Sequence, residues 1–141
     1  MPPEATEQAQ RPVPVPDEAS APFFAGAARG ELMLQRCRAC GAFMWPVKSR
    51  CDNCLRPTVT WIQASGKGTL YSFVLMHQVY HPGFADEVPY NIVQVDLEEG
   101  LRITSNVVGC SNDSLQIGMS LEVTFDDITD EVSLPRFKSA R

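Results

Sequence analysis

Four of the five cysteines in this 141-residue chain are spaced for a metal ion. Cys37-Arg38-Ala39-Cys40 and Cys51-Asp52-Asn53-Cys54 are two Cys-x-x-Cys pairs with ten residues between them. Each pair can turn tightly and aim two sulfurs at one point. Two such turns on adjacent hairpins put four thiolates at the corners of a tetrahedron, the arrangement of a structural Zn²⁺ bound at roughly 2.3 Å from each sulfur. Ser49 and Asn53 are no better ligands than the thiols, so Cys37, Cys40, Cys51 and Cys54 are the expected set. Iron also accepts four sulfurs, and zinc is preferred only because it is the commoner occupant. A closed four-sulfur shell has no open coordination position, so the metal is expected to build the fold and do no chemistry. Two disulfides are the competing reading. Met1 to Asp17 is polar and Pro-rich with no apolar secretory segment, so the expected compartment is a reducing cytoplasm, where thiols are held for metal. A redox site would use one Cys-x-x-Cys, whereas this chain has two.

The remaining reactive side chains form no catalytic pattern. Cys110 follows Gly109 with no histidine near it in sequence, and is expected to be a small buried or partly buried side chain. His77 and His81 lack the His-Glu-x-x-His spacing of a catalytic zinc site. Ser65-Gly66-Lys67-Gly68 lacks the pattern of a phosphate loop and reads as a hinge-like turn. Catalysis by this chain alone is not expected.

The elements that must position the cysteines follow from local pattern. Residues 1–20 hold five of the eleven prolines and read as a disordered tail. Residues 21–63 read as a short helix followed by a zinc ribbon. Ser20 is the candidate N-cap, Pro22 suits the first turn, and Gly30 is the stop. Phe23, Phe24, Ala27 and Ala28 share a face that packs either on this domain or on a partner. Short strands at Leu32–Arg36, Phe43–Pro46 and Val59–Ile62 flank the knuckles. A module this small cannot fold by burial, and metal binding would supply stability on the order of 10 kcal/mol. Residues 64–141 change to a period of two. Strands are expected at Thr69–His77, Tyr90–Leu97, Leu101–Val108, Met119–Asp126 and Val132–Lys138, with a tight turn at Glu98-Glu99-Gly100. The first is apolar on both faces, with Leu70, Val74 and Met76 on one and Tyr71, Phe73 and Leu75 on the other. Five strands with no crossover helix argue for a mainly β chain ending in a five-stranded antiparallel OB-fold barrel, with a linking helix or turn around Ser111–Ile117. The long connection from His77 to Pro89 is expected to be functional or mobile. No apolar run is long enough to span a membrane.

Charge is unevenly placed. The formal net charge is -5: residues 1–28 carry -3, residues 29–56 carry +4, and residues 57–141 carry -6. Four thiolates and one Zn²⁺ would leave the metal module near +2. An acidic barrel opposes strand-tracking of single-stranded nucleic acid, which relies on phosphate contacts from Lys and Arg. That activity is kept as the alternative because both modules are used for it elsewhere.

The order of short helix, four-Cys ribbon, Gly-x-Gly turn and five-strand barrel resembles an acyl-CoA-associated family of OB-fold proteins with a rubredoxin-like zinc ribbon. The resemblance covers roughly residues 22 to 138. It is carried by Gly30-Glu31-Leu32, Gln35-Arg36-Cys37, Gly66-Lys67-Gly68-Thr69-Leu70-Tyr71-Ser72 and Pro89-Tyr90. Leu97-Glu98-Glu99-Gly100, Ile117-Gly118-Met119 and Pro135-Arg136-Phe137 carry it further. Leu55 departs from it, standing where a knuckle often has Gly, as Gly41 does in the first pair, and this puts the tightness of the second knuckle in question. The resemblance implies a non-catalytic accessory subunit of a thiolase-superfamily enzyme: a thiolase, acyltransferase or retro-aldolase acting on acyl-CoA. Partners of this kind include hot-dog-fold hydratases and enzymes of steroid or lipid side-chain degradation. It also implies acyl-CoA at the shared interface. Candidate contacts with CoA or a partner are Arg38, Lys48, Arg50, Phe84 and Tyr90. Arg36 and Tyr80 belong to the same basic and aromatic groups.

Overall fold

A computed structural model describes residues 11–140. Half of the Pro-rich tail, residues 1–10, therefore lies outside the described residues. Arg11 to Asp17 has no helix or strand, and Asp17 and Ser20 then form a local turn: the Ser20 Oγ donates to Asp17 Oδ1 at 2.7 Å and the Ser20 N–H at 2.8 Å. The hydroxyl is thus spent on Asp17 and does not cap the helix that follows, contrary to its expected role.

That helix, α1 (Ala21–Ala28), has Pro22 in its first turn as expected. It closes with paired bonds from Gly30 N–H to Ala27 O and Glu31 N–H to Gly26 O, the two-bond C-terminal motif that glycine favours. Phe23 and Ala27 are buried and Phe24 is half-buried, but Ala28 is exposed and Gly26 takes its place on the inner face.

β1 (Met33–Cys37), β2 (Phe43–Met44) and β3 (Val59–Gln63) form a three-stranded antiparallel sheet with β1 in the middle. β4 (Lys67–Met76), β5 (Tyr90–Leu97), β6 (Arg102–Ser105), β7 (Ser120–Asp127) and β8 (Ser133–Ser139) form a second antiparallel sheet ordered β6-β5-β4-β7-β8. It curls until its ends meet. Just past β6, Val107 bridges Phe137 in parallel, with Phe137 N–H donating to Asn106 O and Val108 N–H to Phe137 O. The expected five-stranded OB-type barrel is therefore what the chain builds, and 3-10 turns at Pro82–Phe84 and Asn112–Ser114 punctuate its two longest connections.

One face assignment is overturned. The pairing of β4 with β5 slips between Leu70 and Ser72, a β-bulge at Tyr71. A bulge adds one residue to a strand of period two, so every side chain after it changes face. Leu70 is buried, but beyond the bulge Phe73 turns inward opposite buried Val93, and Leu75 shares that face opposite buried Asn91 while staying 36 % exposed near the strand's end. Val74 points out, 56 % exposed.

One core joins both sheets. Phe23 from α1 and Leu32 and Leu34 from the ribbon bury against Leu70, Val93, Val95, Ile103, Leu121 and Phe137 of the barrel. Gly66 in the short link between the sheets and Gly68 at the start of β4 have no room for a side chain. A Cβ at Gly66 would lie 2.6 Å from Val123 Cγ1, and one at Gly68 would lie 2.8 Å from Asp96 O.

Candidate metal centre and its surroundings

The two Cys-x-x-Cys segments fold into the same turn. In the first, Ala39 and Cys40 donate their N–H groups to Cys37 Sγ at 3.3 and 3.4 Å, and Gly41 N–H donates to Cys37 O at 2.9 Å. In the second, Asn53 and Cys54 donate to Cys51 Sγ at 3.3 and 3.4 Å, and Leu55 N–H donates to Cys51 O at 3.0 Å. The residue after each second cysteine is left-handed: Gly41 has φ 82° and Leu55 has φ 65°. The second knuckle is thus as tight as the first, and Leu55 takes a conformation that glycine adopts freely. Arg36 Nε donates to Gly41 O at 3.1 Å and Arg50 Nη1 to Leu55 O at 3.2 Å, so one guanidinium ties down the carbonyl at the exit of each knuckle.

These turns bring Cys37, Cys40, Cys51 and Cys54 together with all four Sγ atoms within 4.8 Å of one another. Cys37 and Cys54 are 3.6 Å apart and Cys40 and Cys51 are 3.5 Å apart. A regular tetrahedron of about 2.3 Å Zn–S bonds has edges of about 3.8 Å, whereas a disulfide is about 2.0 Å long. All five cysteines are free, so the disulfide alternative falls and the donor set fits a tetrahedral metal ion.

The surroundings favour thiolates. Cys37 is held down to about 5, first by its 3.2 Å contact with the Thr58 hydroxyl and then by the Cys40 N–H. Cys40 is lowered by the Asn53 side-chain amide and then by the Ala42 N–H. Cys54 goes the other way, to about 11. The Arg56 N–H lowers it, but burial and the sulfurs of Cys37, Cys51 and Cys40 outweigh that bond. Sulfurs this close resist carrying negative charge together, and a bound dication is the group that removes the conflict. Buried Gln35 holds the segment between the knuckles. Its Nε2 donates to Lys48 O at 2.9 Å, and its Oε1 accepts from Lys48 N–H at 2.8 Å. Nothing in the linear pattern marked Gln35 for this role.

The other candidate residues occupy two places. Arg38 is exposed beside the first knuckle, and Lys48 lies 3.9 Å from Asp52. Phe84 of the long connection and Tyr90 at the start of β5 pack ring against ring at 5.6 Å, with Arg11 over the Phe84 ring at 5.7 Å. They edge a cavity of about 560 Å³ beside Asn106, Asp126 and Arg136. Tyr80 projects from the same connection, 73 % exposed, and His81 is occupied, its Nδ1 accepting from Gly83 N–H at 2.9 Å. Cys110 is exposed rather than buried, because the chain leaves the barrel after Val107 and Val108 to Ser111 lie on the surface. Asn91 was also missed. It is buried, its Nδ2 donates to Val107 O and its Oδ1 accepts from Val107 N–H, so its side chain serves as the strand partner that β6 lacks beyond Ser105.

A four-cysteine ribbon whose strands share a core with a curled five-stranded antiparallel sheet defines a zinc-ribbon OB-fold protein. Two family models match it in sequence: the rubredoxin-like zinc ribbon domain of ChsH2 over residues 24–60 and the C-terminal OB-fold domain of ChsH2 over residues 61–126. The chain is 35 % identical over 140 residues to a probable enoyl-CoA hydratase alpha subunit of Thermomonospora curvata, matching 97 % of its own length and 43 % of that protein. It is 37 % identical over 97 residues to a DUF35 domain-containing scaffold protein of Methanocaldococcus jannaschii, covering 68 % of each. Among solved structures, the Ltp2-ChsH2(DUF35) aldolase contains a chain that matches 92 % of this one and is itself covered completely, with TM-score 0.82 and 32 % identity. The chain belongs to the DUF35 family of ChsH2-type proteins. It spans less than half of the hydratase alpha subunit it resembles.

Proposed function

We propose that this chain is a non-catalytic accessory subunit of a thiolase-superfamily acyl-CoA enzyme, a thiolase, acyltransferase or retro-aldolase, and that it supports its partner's fold and CoA or acyl site. The observation that carries this is the match over the full length of the DUF35 chain in an aldolase complex. The words scaffold and subunit in the names of the relatives point the same way. Zn²⁺ in the four-thiolate site is part of the proposal. It would be held by Cys37, Cys40, Cys51 and Cys54, and it would supply a rigid cross-link with no open position for substrate. Arg38, Lys48, Phe84 and Tyr90 remain the proposed contacts with CoA or the partner. Arg50 is the weakest of the set, because its guanidinium is engaged with Leu55 O.

The test is affinity purification of the tagged chain from its native host, followed by assay of acyl-CoA turnover with and without the captured protein. The expected result is an acyl-CoA enzyme subunit in the eluate, one zinc per chain, and no turnover by the chain alone. Turnover by the isolated chain, or an eluate without an acyl-CoA enzyme, overturns the proposal.

A further inference from the structure

β4 is ten residues long, yet it is paired on both sides only at its start. β5 follows it from Gly68 to Met76, whereas β7 pairs with Lys67, Gly68 and Thr69 alone. The β7 side is closed at Leu70 by bonds to Met119 O and from Gly118 N–H. Beyond that point, no other backbone bond to Tyr71–Met76 is made on that side among the described residues. The result is an open strand edge six residues long.

Open edges are sites where another chain can add a strand, and proteins usually guard them with Lys, Pro, bulges or a covering helix. Here Tyr71-Ser72-Phe73-Val74-Leu75-Met76 contains no charge and no proline, and its bulge lies at the first residue. α1 packs mainly on β1, β7 and β8. Much of the exposed side-chain surface along it is apolar, with Arg102 lying over the Tyr71 ring at its start. Val74 is 56 % exposed, and Tyr71, Val79, Tyr80 and the neighbouring Ile117 are also exposed. Half of the large apolar side chains exposed in the described part of the chain fall between Tyr71 and Tyr80.

We infer that the Tyr71–Met76 edge of β4 is the docking strand for an extended apolar segment of the enzyme subunit, which joins the barrel as an added strand. This rests on the accessory-subunit reading above. Main-chain bonds along the edge would give affinity, and the exposed Val74 side of the sheet would read the segment's alternate side chains. An enzyme segment suits the edge better than a second copy of this chain. Two copies would bring together two barrel regions that each carry -6, while a neutral or basic segment meets no such repulsion.

The experiment uses the complex captured from the host and the purified full chain. Val74→Lys places a charge on the exposed edge, and Val15→Lys does the same at a position remote in sequence. Both should melt as wild type, since each side chain is more than half exposed. Val74→Lys is expected to weaken capture of the enzyme subunit at least tenfold and Val15→Lys to leave it unchanged. Hydrogen exchange at the edge-facing amides between Tyr71 and Met76, those not bonded to β5, should be fast in the free chain and slowed at least tenfold in the complex. Capture unaffected by Val74→Lys, with those amides unprotected, overturns this inference and leaves the accessory role standing. Protection of the same amides in a self-dimer of the free chain assigns the edge to a second copy and overturns it too. Failure of the wild-type chain to capture any acyl-CoA enzyme subunit removes both readings.

Discussion

Leu55 and Gly41 occupy equivalent positions in the two knuckles, with φ 65° and 82°. A residue with a Cβ costs roughly 1–2 kcal/mol in the left-handed region, and glycine escapes that cost. Leu55 is 71 % exposed, so little burial is lost on removing its side chain. Leu55→Gly is expected to stabilise the metal-bound chain by about 1 kcal/mol, read as a rise of a few degrees in the melting midpoint. Leu55→Val should lower it, since β-branching makes the left-handed region worse. At the same scale, Arg102 donates to Asp96 from Nε at 2.6 Å and lies over the Tyr71 ring at 3.4 Å. That guanidinium holds the Asp96 carboxyl below its ordinary range. A carboxylate whose folded-state pKa is depressed contributes stability above its unfolded pKa and loses it as pH falls through the folded value. The difference in denaturant midpoint between wild type and Asp96→Asn should therefore be constant from pH 7 to about pH 5 and shrink below about pH 4. Both groups are substantially exposed, so the difference itself is small.

At the scale of elements, what the sequence made legible followed period and spacing. β5 alternates as read, with Val93, Val95 and Leu97 inward, and the cysteine spacing alone picked out the four sulfurs that converge. What stayed hidden was decided by partners distant in the chain. The bulge at Tyr71 reversed the faces of β4, and a run apolar at nearly every position offers no pattern from which to detect the slip. Cys110 lies on the surface because regular pairing of the third strand stops at Ser105, short of the Val108 to which its apolar pattern runs. Asn91 had a visible signal, a polar residue at the inward end of the series Asn91, Val93, Val95, Leu97, but its meaning depends on Val107 sixteen residues on. Gln35 had none. Its two bonds to Lys48 join β1 to the segment between the knuckles. Gln35→Ala leaves the part-buried N–H and C=O of Lys48 without their side-chain partners and is expected to cost about 2 kcal/mol, at the low end of roughly 1–3 kcal/mol per orphaned group because neither group is fully buried. Chemical denaturation should show this loss together with faster release of the bound metal ion to a chromogenic chelator.

For the whole molecule, the shared core matters more than the division into ribbon and barrel. Phe23, Leu32 and Leu34 contribute to the same apolar cluster as Val93 and Phe137, so the barrel does not bury its interior without the metal module. Binding free energy of a structural ion is folding free energy, and here it reaches β5 as well as the knuckles. Removing the ion with a chelator, or replacing Cys37 and Cys40 with Ser, is expected to lower the melting midpoint of the barrel and to raise hydrogen exchange at the β5 amides. A barrel with unchanged melting after complete metal removal would show two independent units. Charge acts at this scale too. The basic side chains are concentrated around the cysteines, with Arg36 and Arg50 committed to knuckle carbonyls, while the barrel remains acidic. The outer β5–β6 face carries Asp96 paired with its one arginine, leaving little cationic surface for a phosphate backbone to follow.

The surface position of Cys110 makes the chain a counter of its own ion. With the ion in place, one thiol should react promptly with an aromatic disulfide reagent; stripped and unfolded, the chain should present five. The yield of released chromophore thus reports occupancy chain by chain, and a fluorophore attached at Cys110 would mark the molecule without touching the sulfurs that hold it together.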